Sequence, residues 1–333
     1  MMKRIYVGPK LTTIENNDFF DGSITLFDST ATFEYWNPDN IPHEVSIYNE
    51  GLAKITEPTE VMAHHPLTVS KCKFPENVRM ICLNPLSVLQ TLDDKIQTRG
   101  LLSGLVPMLD YRTIKGKDFN YEQLRALSDE LVVQLPVGSG GSKTFLCNPE
   151  NHEQIRATLV PDKDYSISAY QRENTPYNVH CIVGNDRIEV LPPSQQLLEI
   201  SDKIEFIGSD FEIEIPSNIK AKFIQHSSTI CNRVQALGYR GVLGIDYIHA
   251  NDELYFIEIN PRFQGSTRQV DALLKKSGLP SIFDYNYRAF NGDTMPCTKH
   301  MEASIFSRDH LKASSPEKPP FNPKQDAVEK ICL

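Results

Sequence analysis

The sequence feature that most limits the fold is residues 241–267, which read GVLGIDYIHANDELYFIEINPRFQGST. Two short runs rich in Leu, Ile, Tyr and Phe flank a turn-prone Ala-Asn-Asp-Glu, and this pattern predicts a β-hairpin. A turn centred near Asp252 places Asp246 opposite Glu258, where two carboxylates repel each other. A divalent cation removes that repulsion, and Asn260 adds a neutral oxygen ligand. The hairpin therefore predicts a Mg²⁺ site, unless its second face merely happens to carry acidic residues.

Strand alternation gives the two faces of this hairpin different chemistry. The face with the carboxylates is expected to carry Ile248 and Phe256 as well. The opposite, apolar face is predicted to hold Leu243, Ile245, Tyr247, Tyr255, Ile257 and Ile259.

The residues after the hairpin extend the predicted site. Arg262 follows on the same side as the acids and can stabilise developing negative charge. Residues 265–267 look like the opening of a helix, and a helix N-terminus can hold an anion. Ser266 and Thr267 are therefore candidates to bind a substrate carboxylate, with simple helix capping as the alternative. Gln195 and Gln196 either face the same centre or lie on a plain strand surface.

Length and composition limit the class of protein. With 333 residues and 40% hydrophobic content, the chain is long enough for two or three globular domains. The formal net charge of −9 argues against a nucleic-acid partner. No apolar run approaches the roughly 18 residues of a membrane helix, and the N-terminus lacks a signal-peptide core. The seven scattered cysteines have no zinc-binding spacing and indicate thiols of a reducing cytoplasm.

A glycine-rich segment lies upstream of the hairpin, between two predicted strands. The order strand, glycine loop, strand indicates a flap, because a Walker loop would open a helix with Gly-Lys-Thr/Ser. Glycines allow backbone N–H groups to close over a polyphosphate, although glycine-rich hairpin tips without ligands are common. The segment comprises Gly138, Ser139, Gly140, Gly141 and Ser142.

Other segments add secondary structure. A helix from residue 87 to about 104 carries Lys95, which taken alone is an ordinary exposed lysine. A long amphipathic helix is predicted over residues 217–237, ending at Gly238. Residues 1–84 alternate apolar runs with polar, proline-containing loops and suggest a small α/β domain. In it, His64 and His65 indicate a solvated loop more than a metal site.

Taken in order, these motifs resemble the ATP-grasp superfamily of carboxylate-amine ligases. The resemblance rests on Asp94-Lys95, on VVQLPVGSGGSKTF, on a hinge near Leu159-Val160, on Gly244-Ile245-Asp246 and on Glu258-Ile259-Asn260-Pro261-Arg262. It implies an α/β (α+β) ATP-grasp domain over residues 85–306, with lobes at about 85–160 and 161–306. Residues 1–84 would then form the α/β domain that precedes the ATP-grasp domain, and residues 307–333 would form a C-terminal tail.

The resemblance also implies roles for single residues. Lys95 and the flap residues 138–142 would contact the ATP phosphates, while Leu159 and Val160 would meet the adenine and Asp164 the ribose. The implied ligands for Mg²⁺, or Mn²⁺, are Asp246, Glu258 and Asn260. The implied catalytic residues are Arg262 and Lys95. The implied substrate contacts are Gly265, Ser266, Thr267 and Gln196. One position departs from the family pattern, since Gln134 stands where many members carry a phosphate-contacting lysine. Either Lys143 compensates or nucleotide binding is weaker.

The implied activity is carboxylate activation. The substrate carboxylate attacks the γ-phosphate of Mg-ATP, and an amine of an amino acid or small peptide displaces phosphate from the acyl phosphate, leaving ADP. Small-molecule carboxylates and amines are the expected partners. A homodimer is compatible with the resemblance. Two alternatives stay open: transfer to a carrier-protein thiol, and a non-catalytic nucleotide-binding regulatory protein, which Gln134 favours.

Overall fold

A computed structural model describes residues 2–9, 17–26, 41–138, 143–200 and 204–298. These residues form three β-sheets with helices packed on them, which confirms the predicted mixture of helices and strands. No helix in these ranges is long and apolar enough to cross a membrane.

The first sheet is parallel, with strand order β2-β1-β3-β4. Its strands are β1 Lys3–Pro9, β2 Gly22–Leu26, β3 Thr59–Ala63 and β4 Val78–Ile81, and it is accompanied by helices α1 Ile41–Leu52 and α2 Pro66–Val69. Every residue of β3 is buried, so this strand lacks the polar alternation that would have revealed it in the sequence. His64, which follows β3, is fully buried with Nδ1 2.9 Å from the Tyr6 hydroxyl oxygen. The solvated-loop interpretation of His64 is therefore wrong.

Two short helices replace the single helix predicted after residue 87. They are α3 Leu86–Asp93 and α4 Lys95–Leu102. Asp94 separates them in an extended conformation, and its side chain accepts hydrogen bonds from the backbone N–H groups of Ile96 and Gln97. Such an N-cap starts a new helix, so Lys95 becomes the first residue of α4.

The second sheet is antiparallel, with strand order β5-β8-β6-β7. Its strands are β5 Tyr111–Lys115, β6 Leu131–Gln134, β7 Thr144–Cys147 and β8 Asp164–Ala169; helices α5 Tyr121–Leu124 and α6 His152–Thr158 belong to the same unit. A hydrophobic cluster that includes Leu131, Val133, Ile155, Leu159 and Ile167 holds this unit together.

The third sheet has the strand order β12-β11-β9-β13-β14, with β10 also paired to β9. Its strands are β9 Thr175–Val183, β10 Ile188–Val190, β11 Ser194–Ile200, β12 Ile204–Asp210, β13 Gly241–Ala250 and β14 Glu253–Asn260; its helices are α7 Ser217–Ala236, α8 Thr267–Lys276 and α9 Ile282–Asn291. As predicted, α7 is a long helix followed by Gly238, which adopts φ +91°. Ile219, Phe223 and Ile230 of α7 are buried against the sheet.

The β13–β14 hairpin confirms the pairing of Asp246 with Glu258 but not the turn from which it was predicted. The turn is the two-residue Asn251-Asp252, with φ of 52° and 58°. An irregularity after Asp246 shifts the register back by one residue, as a β-bulge does.

The bulge also changes which residues of β14 share a face. Phe256 lies opposite Tyr247 and is buried in the core, so its predicted place beside the carboxylates is wrong. Ile257 lines a cleft with Glu258 instead of facing the core, and Tyr255 pairs with Ile248.

Candidate active site

A cleft of about 610 Å³ is lined by residues of the second sheet, the third sheet and helix α4. The second sheet contributes Gln134 of β6, the third contributes Asp246 and Glu258, and α4 contributes Lys95 and Arg99. Residues far apart in the sequence therefore meet around one space that can hold a small molecule.

Two carboxylates form the centre of one end of the cleft. Asp246 and Glu258 are hydrogen-bonded to each other across the hairpin. Asp246 also accepts hydrogen bonds from Nδ2 of Asn178 at 2.6 Å, from Nδ2 of Asn260 at 3.0 Å and from Nε2 of Gln196 at 3.1 Å. The predicted metal ligands Asp246, Glu258 and Asn260 are thus brought together, and Gln196 reaches the same group.

The pair of carboxylates keeps a proton near neutral pH. Burial and the negative charge of Glu258 raise the pKa of Asp246 to about 8. For Glu258 burial acts in the same direction, but Lys95, the hydrogen bond with Asp246 and the charge of Arg262 together outweigh it, and the pKa of Glu258 falls below its usual range. A divalent cation can replace that shared proton.

The oxygen donors of this cluster fit Mg²⁺. Two carboxylates and an amide oxygen are hard ligands, in the number that suits a metal ion shared with phosphate groups. The part of the chain that the structure describes has no group of three or more His, Cys, Asp or Glu residues that could hold a metal ion, and this cluster has two acids with an amide as the third donor.

Two buried cations flank Glu258. Nζ of Lys95 lies 2.6 Å from a carboxylate oxygen of Glu258 and donates to the carbonyl of Gly138 at 3.0 Å. Lys95 is only 6% exposed, so it is not an ordinary surface lysine. Arg262 is also buried, and it donates to Oδ1 of Asn260 at 2.8 Å and to the carbonyl of Phe263 at 3.2 Å.

The carboxylates adjoin a polar but uncharged group of residues around Asn178 and Gln264, called here the neutral end of the cleft. Nδ2 of Asn178 donates to Oε1 of Gln264 at 2.8 Å, and the Gln264 backbone N–H donates to Oγ1 of Thr267 at 2.8 Å. Nε2 of His180 lies 3.3 Å from that Thr267 oxygen. Burial lowers the pKa of His180 to about 3, so the imidazole is neutral at physiological pH.

Three of the four residues predicted to bind substrate lie at this neutral end, and the fourth, Gln196, bonds to Asp246. Gly265 and Ser266 line the cleft, while Thr267 is buried behind Gln264. The Ser266 side chain makes no capping hydrogen bond to α8; its hydroxyl lies 3.5 Å from Oδ1 of Asn178. The alternative that Ser266 only caps helix α8 is therefore wrong.

The residues predicted to contact the phosphates from strand β6 and the glycine-rich segment differ in their positions. Gln134 and Gly138 line the cleft. Ser139, Gly140, Gly141 and Ser142 lie outside the described residues. Lys143, the proposed substitute for a lysine at position 134, is exposed and is not among the residues that line the cleft.

The structure does not bring Leu159, Val160 and Asp164 to the cleft. Leu159 is buried in the core of the second sheet, Val160 is 51% exposed, and Asp164 forms an ion pair with Lys115. Asp164 begins β8, and the cleft is lined by residues at the other end of that strand, about 17 Å away at ~3.3 Å per residue. The lining residues there are Ser168, Ala169, Tyr170, Gln171 and Arg172. The predicted adenine and ribose contacts therefore lie outside this cleft.

Among the other cleft residues that sequence reasoning missed are Arg99, Asn178 and Gln264. Arg99 lies four residues after Lys95 on α4, and this spacing puts both on one helix face. Asn178 lies on the central strand β9, where no local motif marks it. Gln264 comes two residues after Arg262. It continues the alternation of polar residues at 258, 260 and 262, and this alternation could have revealed it.

A family model described as an ATP-grasp domain matches residues 92–266, more than half of the chain. The chain belongs to the ATP-grasp family. The match begins just before Lys95 and ends at Ser266, so it includes both the cations and the carboxylates of the cleft. The resemblance stated from the sequence is confirmed.

Individual relatives are distant. The large chain of an arginine-specific carbamoyl phosphate synthase from Halalkalibacterium halodurans is 22% identical over 182 residues. That match covers 53% of this chain but only 17% of the synthase chain, so the chain aligns with a small part of that relative.

Solved structures share the ATP-grasp fold over most of the chain. Biotin carboxylase from Campylobacter jejuni, solved as a β,γ-ATP complex, has a TM-score of 0.64 with 12% identity, over 90% of this chain and 73% of that one. D-alanine–D-alanine ligase from Bacillus anthracis has a TM-score of 0.55 with 16% identity, over 88% of this chain and 98% of that one. At these identities the likeness establishes the fold.

Proposed function

We propose that this ATP-grasp protein is an ATP-dependent ligase that activates a substrate carboxylate as an acyl phosphate and transfers it to an amine. The observation that carries the proposal is the hydrogen-bonded pair Asp246–Glu258, with Lys95 2.6 Å from Glu258 and buried Arg262 beside them, all lining one cleft. Metal ligands and cations grouped in this way suit transfer of a phosphoryl group.

The chain's own residues have separate tasks in this reaction. Asp246, Glu258 and Asn260 would hold Mg²⁺, which when bound neutralises phosphate charge. Lys95 places a positive charge beside Gly138, at the start of the glycine-rich segment. Arg262 stands next to the metal ligands and stabilises charge that develops on the reacting carboxyl group.

The bonds made and broken need no side-chain nucleophile. A substrate carboxylate oxygen attacks the γ-phosphorus, the bond to the bridging oxygen breaks, and ADP leaves. The amine then attacks the acyl carbon, phosphate departs, and the amine loses a proton. The protein contributes positioning and charge, which account for most of the catalysis in such reactions.

The substrates we propose are an amino acid or small peptide as carboxylate and a second amino acid as amine. The neutral end, with Asn178, Gln264 and Ser266, offers amide and hydroxyl groups for hydrogen bonds to such molecules. The likeness to a D-alanine–D-alanine ligase supports this class. We place the nucleotide base near residues 168–172, at the end of β8 that lines the cleft.

The test is incubation of the protein with Mg-ATP and a panel of amino acids and dipeptides, with ADP and phosphate as readouts. We expect ADP and phosphate in equal amounts, released only when an acceptable substrate and Mg²⁺ are both present. Formation of AMP and pyrophosphate would contradict the acyl-phosphate mechanism. A reaction with EDTA in place of Mg²⁺ is the control.

A second candidate is a nucleotide-binding protein without turnover. The observation that favours it is Gln134, a neutral residue on the cleft wall of β6. Nucleotide binding without ADP formation across the whole panel would support this candidate. Substrate-dependent ADP release would exclude it.

A further inference from the structure

A third cation, Arg99, lines the cleft on the same helix as Lys95. The two residues are separated by one turn of α4 and therefore project from the same helix face. Arg99 is 3% exposed. Its Nη1 donates to Oγ of Ser166 at 2.7 Å, and its guanidinium carbon lies 5.0 Å from the centre of the Tyr111 ring.

Arg99 differs from the other two cations in its partners. Lys95 is paired with Glu258, and Arg262 bonds to Asn260 next to the carboxylates. Within the described ranges, no acidic side chain forms an ion pair with Arg99, and one serine hydroxyl accepts from a group with five N–H donors. A buried guanidinium stays charged at neutral pH, and buried charges are normally paired.

The surroundings of Arg99 indicate the kind of anion that would pair with it. Ser166, its hydrogen-bond partner, lies directly opposite Gln134 in the β6–β8 ladder. Gln134 is neutral, with Nε2 3.4 Å from the hydroxyl of Thr144. Gly138 follows a few residues later and bonds to Lys95. The unpaired charge thus lies between α4 and the strand that leads into the glycine-rich segment.

We infer that Arg99 binds an oxygen of the nucleotide's phosphate chain and supplies, from helix α4, the positive charge that Gln134 does not supply from strand β6. The inference rests on the proposed function for the presence of a nucleotide. It assigns Arg99 as a substrate-contacting residue in addition to Lys95.

The test compares ligands with and without phosphate groups. Arg99→Met keeps an unbranched apolar side chain and removes the guanidinium and its charge. We expect the dissociation constant of ADP, measured by calorimetry without turnover, to rise about 30-fold, as for loss of a hydrogen bond to a charged group. Adenosine should bind the variant and the wild type equally. Arg99→Lys should retain most of the ADP affinity, because it retains the charge.

A rescue experiment sharpens the assignment. Because position 134 lies opposite Ser166, a lysine there would place its charge in the same region. We expect Arg99→Met combined with Gln134→Lys to recover most of the ADP affinity lost by Arg99→Met. Arg112→Met, at an exposed arginine of β5, is the matched control and should leave binding unchanged.

The outcomes separate this inference from the proposed function. If the wild type binds ADP and Arg99→Met binds it equally well, the role of Arg99 is wrong and the proposed function stands. If the variant loses adenosine and ADP affinity alike, Arg99 only supports the fold against Ser166 and Tyr111, and the inference is also wrong. If the wild type binds no adenine nucleotide, both are wrong.

Discussion

The two ends of the cleft are built from different chemistry. One end collects carboxylates and cations, and it is lined by Asp246, Glu258, Lys95, Arg99 and Arg262. The neutral end, which Asn178 joins to Asp246, contains amides and hydroxyls, and behind them lies a histidine that burial keeps neutral.

This difference separates the reaction from the choice of substrate. The charged end provides what phosphoryl transfer requires of any substrate, namely metal ligands and positive charge. The neutral end provides hydrogen bonds whose geometry depends on the molecule bound. Changes at the charged end should therefore reduce turnover for all substrates, whereas changes at the neutral end should alter substrate affinity.

The largest effect is expected at the charged end, from Glu258→Ala. This variant removes a metal ligand and the partner of Lys95. We expect kcat/KM to fall by about 10³-fold or more, since the metal and the buried charges act together. Turnover is measured as substrate-dependent ADP release at several Mg²⁺ concentrations.

Two further variants control that experiment. Glu258→Gln has nearly the shape of glutamate and should keep the fold while losing turnover to a similar extent. Glu199→Ala, at an exposed carboxylate of β11 in the same sheet, should behave like the wild type. Full activity of a folded Glu258→Ala protein would show that the metal ligands are wrongly assigned.

A smaller effect is expected at the neutral end, from Gly244→Ala. A Cβ atom at this position would lie 1.5 Å from Nε2 of Gln264, so the Gln264 side chain must move and its hydrogen bond with Asn178 is lost. We expect the KM of the amino-acid substrate to rise about tenfold, as for loss of one hydrogen bond. The KM of ATP should stay within twofold.

The matched glycine control is Gly100→Ala in α4, where an added Cβ meets nothing within 4 Å. Adding Gln264→Ala to Gly244→Ala should restore stability by relieving the contact, but not substrate affinity. An equal rise in the KM of ATP would contradict the claim that the neutral end affects only the affinity for the amino-acid substrate.

A third effect, on stability at acid pH and not on turnover, is expected through His180. Its pKa in the folded protein is about 3, below the usual 6.5, so at acid pH the unfolded chain binds a proton that the folded protein does not. Stability is therefore lost as pH falls below 6.5, by about 3 kcal/mol at pH 4. His180→Asn should reduce this loss in urea unfolding measured at several pH values.

Exposed His43 is the control for that measurement, because His43→Asn removes a histidine without changing the interior. The wild-type acid sensitivity should persist in it. If His180→Asn and the wild type lose stability equally between pH 6.5 and 4, the neutral end carries a charge that the structure does not predict.

The carboxylate pair was predictable because it is encoded within one hairpin. Asp246 and Glu258 were placed opposite each other from the turn and the alternation alone, and the structure confirms the pair. The assumed turn was slightly misplaced, and the bulge after Asp246 restored the register. No sequence signal marked that bulge, so the faces of Phe256 and Ile257 were assigned wrongly.

The rest of the cleft depends on contacts between distant segments. Arg99 reaches the site because α4 packs against β14 and the Arg99 side chain bonds to Ser166 of β8. Asn178 reaches it because β9 lies at the centre of the third sheet. Neither contact is visible in local periodicity. The end of β8 that lines the cleft likewise depends on sheet topology, which explains why Leu159 and Val160 were predicted to meet the nucleotide although the structure places them elsewhere.

The most direct test of the central claim is a crystal structure of the protein with Mg²⁺ and a non-hydrolysable ATP analogue. We expect Mg²⁺ at about 2.1 Å from oxygens of Glu258 and its neighbours, the phosphate chain beside Lys95 and Arg99, and the base near residues 168–172. A nucleotide whose phosphates lie away from Glu258, or a base that contacts Leu159 and Val160, would contradict the proposed site.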